Sequence, residues 1–247
     1  DNGTWIATGV PTLEELRTTG GGHHSTTPVV LEFSESLAGD TLDGAFVLRP
    51  INGFTPAPAT VHLVGDGRLV VLLPSLALTA GETYSVELDE DAAITDLTGQ
   101  LFTSSAALGQ FTVADTDPTE ISLVASWPPA GSIDQSAIGE ITAIFDRAVL
   151  ATTITDTSFD VTVGGTPPTF DPAPGAVEVL AGFFPGQDTR IWRWISLDDN
   201  NERVDLGASA AVQLSLSPIG SEIADLDGGT LPAVAIDFTT SALSAPT

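Results

Sequence analysis

Two stretches of this chain repeat one pattern of apolar alternation and turn residues about 129 residues apart, and that duplication restricts the fold more than any single residue does. The first copy runs Val29, Leu31 and Phe33 at alternate positions, then Ala45-Phe46-Val47, then Tyr84, Val86 and Leu88, then Asp96-Leu97-Thr98-Gly99, then Phe111-Thr112-Val113. The second runs Ile141, Ala143 and Phe145, then Ser158-Phe159-Asp160, then Val212, Leu214 and Leu216, then Asp225-Leu226-Asp227-Gly228, then Asp237-Phe238-Thr239. The same blocks return in the same order, so the chain reads as two copies of one β-domain.

Within each copy the apolar residues alternate in short runs broken by Gly, Pro, Asp and Asn, the pattern of an antiparallel sandwich with one wet face per sheet. On the first strand Val29, Leu31 and Phe33 are expected to face the core while Glu32 and Ser34 face water. The one helical candidate is Thr12-Leu13-Glu14-Glu15-Leu16-Arg17, with Thr12 and Glu15 spaced as a capping box. The fold class is therefore all-β, with two tandem antiparallel β-sandwiches. The segment Ala114 to Thr119 is the boundary, because Pro118 interrupts strand hydrogen bonding. The domains are expected over 1–115 and 118–247, the second carrying an insertion near 179–205 that has no counterpart in the first.

Composition narrows the function classes. There is no cysteine, which excludes disulfides, thiolate metal sites and cysteine nucleophiles. The 33 acidic residues face 7 basic ones, all of them Arg, for a net charge of −26. Schiff-base chemistry and a P-loop lysine are thereby absent, and so large a negative charge repels nucleic acid and anionic lipid. Divalent cations and high salt suit such a surface. With no methionine, Asp1 is not a translation start, and the chain is expected to be a processed or excised piece. No apolar run is long enough for a membrane helix. The abundance of Thr, Ser, Gly and Pro fits an exported β-protein at the cell surface or outside the cell.

Glu32-Phe33-Ser34-Glu35, Gly44-Ala45-Phe46, Ala80-Gly81-Glu82-Thr83-Tyr84, Asp96-Leu97-Thr98-Gly99 and Gly109-Gln110-Phe111-Thr112 together resemble the bacterial Ig-like domain first described in S-layer proteins. The second half resembles it more loosely, keeping Ile144-Phe145-Asp146, Asp225-Leu226-Asp227-Gly228 and Asp237-Phe238-Thr239-Thr240. The resemblance implies two Ig-like sandwiches and a spacer or assembly unit in S-layers, adhesins or other surface proteins, without catalytic activity. These motifs are turn and core signals, so they speak for fold before function.

Candidate sites are few. The two Asp-x-x-Gly blocks could wrap calcium, but an Asp that accepts backbone N–H groups ahead of a glycine turn explains them without an ion. Asp115, Asp117 and Glu120 in the linker could hold calcium if Asp89, Glu90 and Asp91 or an acidic loop of the second domain converged on them; otherwise they form a solvated linker. Asp198 and Asp199 sit in the densest oxygen cluster, which lacks the central glycine of an EF-hand loop. Trp192 and Trp194 share one strand face. Exposed, they would make a stacking platform for sugar rings or a partner's apolar patch; buried, they leave Arg193 pointing to water, and this second arrangement takes precedence. Trp5 is a further partner-contact candidate at a strand edge. His23 and His24 follow three glycines and are expected in a flexible loop.

The expected function is a non-enzymatic structural or adhesive module, a spacer or self-assembling unit. Its partners would be copies of itself or neighbouring surface proteins. The alternatives are a glycan- or protein-binding module on Trp192 and Trp194, with or without calcium, and an accessory domain of a larger secreted hydrolase.

Overall fold

The computed structural model describes residues 9–104, 107–133, 135, 140–166, 176–181, 188–196 and 203–242. They fall into two compact units, one within Thr4–Pro118 and one within Thr119–Thr247.

In the first unit, β1 (Leu13–Leu16), β3 (Val29–Phe33), β6 (Leu69–Pro74) and β5 (Ala59–Val64) form one sheet in the order β1-β3-β6-β5. The other sheet runs β2-β8-β7-β4, from β2 (Gly20–His23), β8 (Gly109–Val113), β7 (Thr83–Leu88) and β4 (Phe46–Pro50). The core lies between them and contains Val29, Leu31, Phe33, Val70, Leu72, Val86 and Phe111. This is the alternation expected of a sandwich. Among the described strands of this unit only β2, lying along β8, is parallel to its neighbour. The chain crosses from sheet to sheet at Thr18, whose buried hydroxyl donates to the Pro28 carbonyl and accepts the Val30 N–H.

In the second unit, β9 (Leu123–Trp127), β10 (Glu140–Leu150), β13 (Asp188–Ile195) and β12 (Ala176–Ala181) pair in the order β12-β13-β10-β9. The facing sheet is β11 (Phe159–Val163), β14 (Ala211–Leu216) and β15 (Val234–Thr239). Gly131, Ser132 and Gln135 hydrogen-bond along β15, with Gln135 bridged in parallel to Thr240, in the place β2 takes in the first unit.

Register makes the duplication explicit. Leu31 pairs with Val70 and Val29 with Leu72 in the first unit; Ala143 pairs with Trp192 and Ile141 with Trp194 in the second. Tyr84 lies opposite Phe111 and Val212 opposite Phe238. The tryptophans thus occupy the core positions held by Val70 and Leu72, where the small Ala143 leaves room that Leu31 fills in the first copy.

Three local expectations are corrected. Leu13–Leu16 is a strand, not a turn of helix: a bulge between Leu13 and Glu15 puts two apolar residues three apart on one face, which imitates helical spacing. His23 belongs to β2, with its ring edge-on to Phe111 at 6.0 Å. Both faces of β3 and β6 are buried, including Val30 and Val71 behind the core face. Glu32 is buried with them and accepts a hydrogen bond from Arg17 Nε at 3.0 Å. The continuous apolar run Leu69–Leu73 is the trace of this two-sided burial.

Candidate functional site

Each unit places one buried carboxylate in the turn before its last strand. In the first, Asp96 Oδ1 accepts the backbone N–H of Thr98 and of Gln100, both at 2.8 Å, and the Thr98 hydroxyl. Around it the Asp96 N–H donates to the Gln100 carbonyl, the Gly99 N–H to the Asp96 carbonyl, and the Phe102 N–H to Ile94. In the second, Asp225 Oδ1 accepts the N–H of Asp227 at 2.9 Å and of Gly229 at 2.7 Å. The Asp225 N–H donates to Gly229, the Gly228 N–H to Asp225 and the Leu231 N–H to Ile223. Gly99 and Gly228 both take the left-handed conformation, φ 86° and 83°, that the turn requires. Each turn is tied to the rest of its sandwich in the same way: a 3-10 turn, Gly39–Thr41 or Ala151–Thr153, offers a threonine hydroxyl to the N–H of Thr95 or Ala224.

The carboxylates differ in what neutralises them. Burial alone would raise the Asp96 carboxyl, but the Gln100 N–H, the Thr98 hydroxyl and N–H, and the Gly99 N–H outweigh it and hold it below its ordinary 3.8. Asp225 instead meets Arg147, whose Nη1 lies 3.4 Å from Oδ2. The same guanidinium donates to Asp146 from Nε and Nη2, both at 3.2 Å, and to the Glu120 carbonyl at 2.7 Å. Arg147, Asp146 and Asp225 are all under a tenth exposed. Asp146 in turn accepts the Ser122 N–H, as Ser34 Oγ accepts the Thr12 N–H in the first unit.

Asp146 and Asp225 fall in two of the motif blocks, but no motif marks Arg147, which joins them. Its signal is parity: Arg147 shares its side of β10 with Phe145 and Val149, and a charged residue on a core face requires buried partners. With every member engaged, the cluster holds an entry strand, a central strand and a turn together.

Asp117 is committed to the Ser25 N–H and hydroxyl, each at 2.7 Å, with His24 Nε2 at 3.5 Å. Ser25 donates to the aspartate itself, with no histidine between them, so the trio closes a loop and lacks the order of a nucleophile, base and orienting acid. Asp115 stands against Gly81, where an added Cβ would lie 2.6 Å from Oδ1. Glu120 is exposed and contributes its carbonyl to Arg147.

Asp89, Glu90 and Asp91 follow the far end of β7, whereas Asp115 and Asp117 follow β8 beside the near end, where Thr83 faces Thr112. A six-residue strand of about 20 Å separates the two groups. Strand direction thus keeps Asp89, Glu90 and Asp91 away from Asp115 and Asp117. Among the described residues no group of three or more His, Asp or Glu is placed to hold a metal ion. Asp198, Asp199 and Trp5 lie outside the described residues.

Trp192 and Trp194 are 6% and 4% exposed and pack in the second core. The stacking platform is therefore corrected: register places both indoles at core positions. Arg193, on the other face, pairs with Glu140 at 3.4 Å.

Residues 10–113 match the family model of the bacterial Ig-like domain. The match covers most of the first unit. Past this match, the second unit repeats the same strand pairing, so the chain is a tandem of Ig-like sandwiches. No curated protein sequence is significantly similar to the chain.

Among solved structures the chain is similar to domains 1-6 of surface layer protein SbsC, at 13% identity and TM-score 0.37, covering 94% of this chain and 26% of that one. It is also similar to the BSP domain of a biofilm associated protein, at 17% identity and TM-score 0.36, covering 96% and 30%. A third is native alpha-2-macroglobulin from Escherichia coli, domains MG0-NIE-MG1, at 15% identity and TM-score 0.36, covering 95% and 72%. The chain thus spans about a quarter of the surface layer protein fragment.

Proposed function

We propose that this tandem of Ig-like domains is a non-catalytic structural module of a bacterial cell-surface or secreted assembly, acting as a self-assembling unit. The observation that supports it most is the bacterial Ig-like match over residues 10–113, on a chain whose second unit rebuilds the same sandwich. Buried charged groups in each unit, Asp96 and the Arg147 cluster, are spent on holding turns, as a load-carrying scaffold requires. A net charge of −26 keeps such a module soluble and away from polyanions. Its partners are copies of itself or neighbouring surface proteins.

Light scattering of natively purified protein over a range of concentrations tests this reading. Mass rising above 25.4 kDa with concentration is expected. A fixed monomer at every concentration and salt level would remove self-assembly. The same series in millimolar calcium and in chelator separates the routes: mass that collapses on chelation would assign assembly to calcium and make Asp198 and Asp199 the residues to mutate.

A further inference from the structure

Every open sheet edge is a template for another strand, and natural sandwiches blunt their edges with charge, proline, glycine, bulges or cover. Most edges in this protein carry such a device. β1 has the exposed Glu14 and Glu15 and a bulge. β2 is three glycines in irregular register. β4 ends in Pro50, and its Leu48 carbonyl already accepts the Ala57 N–H. On β9, Ala125, Ser126 and Trp127 are buried. β11 carries Asp160 and folds back through Val163 and Thr166, while β12 contains Glu178. β15 is flanked by Gly131, Ser132 and Gln135.

β5 has none of these. Ala59–Val64 contains no acid, arginine, proline or glycine, and pairs with β6 through six successive residues without a register shift. Its surroundings are as unusual as the strand. From Gly44 to Gly81 the only acidic residue is Asp66, against Arg49 and Arg68. In a chain of net charge −26, so acid-poor a stretch lowers the repulsion between two copies, with Arg49 paired to Glu87 and Arg68 to Glu14. The loop leading into β5 also carries Phe54, 95% exposed, and Ile51, 49% exposed.

We propose that β5 is a self-association edge, at which two copies of the chain pair their Ala59–Val64 strands antiparallel about a two-fold axis. An antiparallel edge is self-complementary, because each outward N–H and C=O meets its own counterpart across the axis. The pairing joins two four-stranded sheets into one of eight strands. This rests on the self-assembling reading above and names the surface that reading leaves open.

The test exploits the symmetry. Thr60 and His62 share the outer side of β5, within 3.3 Å of each other, and each faces the same pair of residues across the two-fold. A Thr60→Glu/His62→Glu variant sets like charges opposite one another and weakens association roughly tenfold or more, by about 1.4 kcal/mol. A Thr60→Lys/His62→Lys variant mixed with it in equal amounts restores a mixed dimer, seen as one species in native mass measurement. Wild-type association, loss with the glutamate variant and recovery in the mixture support the inference. Circular dichroism that matches wild type assigns the loss to the edge rather than to unfolding. Wild-type association that both variants retain overturns β5 while leaving self-assembly standing; a wild-type monomer throughout overturns both.

Discussion

In the first unit the buried turn carboxylate, Asp96, is satisfied by neutral donors alone, whereas in the second the equivalent Asp225 shares the guanidinium of Arg147 with Asp146. The backbone bonds of the two turns correspond one for one, so the Asp and the left-handed Gly are enough to set the geometry. The cation enters for another reason. Where the first unit has Ser34 to receive the entry strand's N–H, the second has Asp146, which adds a second buried negative charge beside Asp225. Two carboxylates out of water need a cation between them, and Arg147 stands where the first unit has Glu35. One turn design therefore tolerates different charge environments provided each buried group is paired.

Removing the cation breaks this comparison most strongly. Arg147→Met leaves two buried carboxylates unpaired and lowers the stability of the second unit by about 3–5 kcal/mol. Glu35→Ala at the corresponding place in the first unit changes stability by less than about 0.5 kcal/mol. Tryptophan fluorescence during denaturant unfolding, read in a Trp5→Phe background, reports the second unit, since Trp127, Trp192 and Trp194 all lie there and Tyr84 lies in the first.

A smaller effect comes from exchanging the residue that closes the turn. The first unit has Gln100 there and the second Gly229, whose added Cβ would lie 2.2 Å from the Thr119 carbonyl oxygen and 2.7 Å from Asp225 Oδ2. Gly229→Gln should cost about 1–3 kcal/mol through overpacking against backbone. Gln100→Gly should cost less than about 1 kcal/mol, measured by the same unfolding curves.

The smallest effect is a pH dependence carried by the neutral-donor turn. The folded Asp96 carboxyl titrates below its ordinary 3.8, so the unfolded chain binds the proton more readily. Its contribution to stability is therefore present above about pH 3.8 and fades as pH falls through the lower folded value. Asp96→Asn removes that part of the acid destabilisation of the first unit, which urea unfolding between pH 5 and the acid limit of folding would reveal as a shallower decline.

The parts legible in the sequence are those whose physics is local. Alternation at Val29, Leu31 and Phe33 and at Val212, Leu214 and Leu216 marks strands, because neighbouring residues of a strand face opposite sides. An Asp two and four residues before the N–H groups it accepts marks a turn within a single short window. What escaped depends on distant partners. The β1 bulge is visible only through its pairing with β3, and the strand character of Gly20–His23 comes from β8, nearly ninety residues on. Glu32 on a face read as wet is buried because Arg17 and an aliphatic outer face lie beside it. The separation of Asp89 from Asp117 follows from strand direction, to which spacing in the chain is blind. Trp192 and Trp194 stand between these cases: the strand pattern fixes their shared face, and pairing with β10 shows that face to be the core.

Amide hydrogen exchange at four residues measures the equivalence of the two turns directly. Thr98 and Gln100 donate into Asp96, and Asp227 and Gly229 donate into Asp225. Slow exchange at all four in the native chain, with protection lost at Asp227 and Gly229 alone in Arg147→Met, is the predicted result. Fast exchange at either pair in the native chain would contradict the claim that both units close on the same buried-aspartate turn.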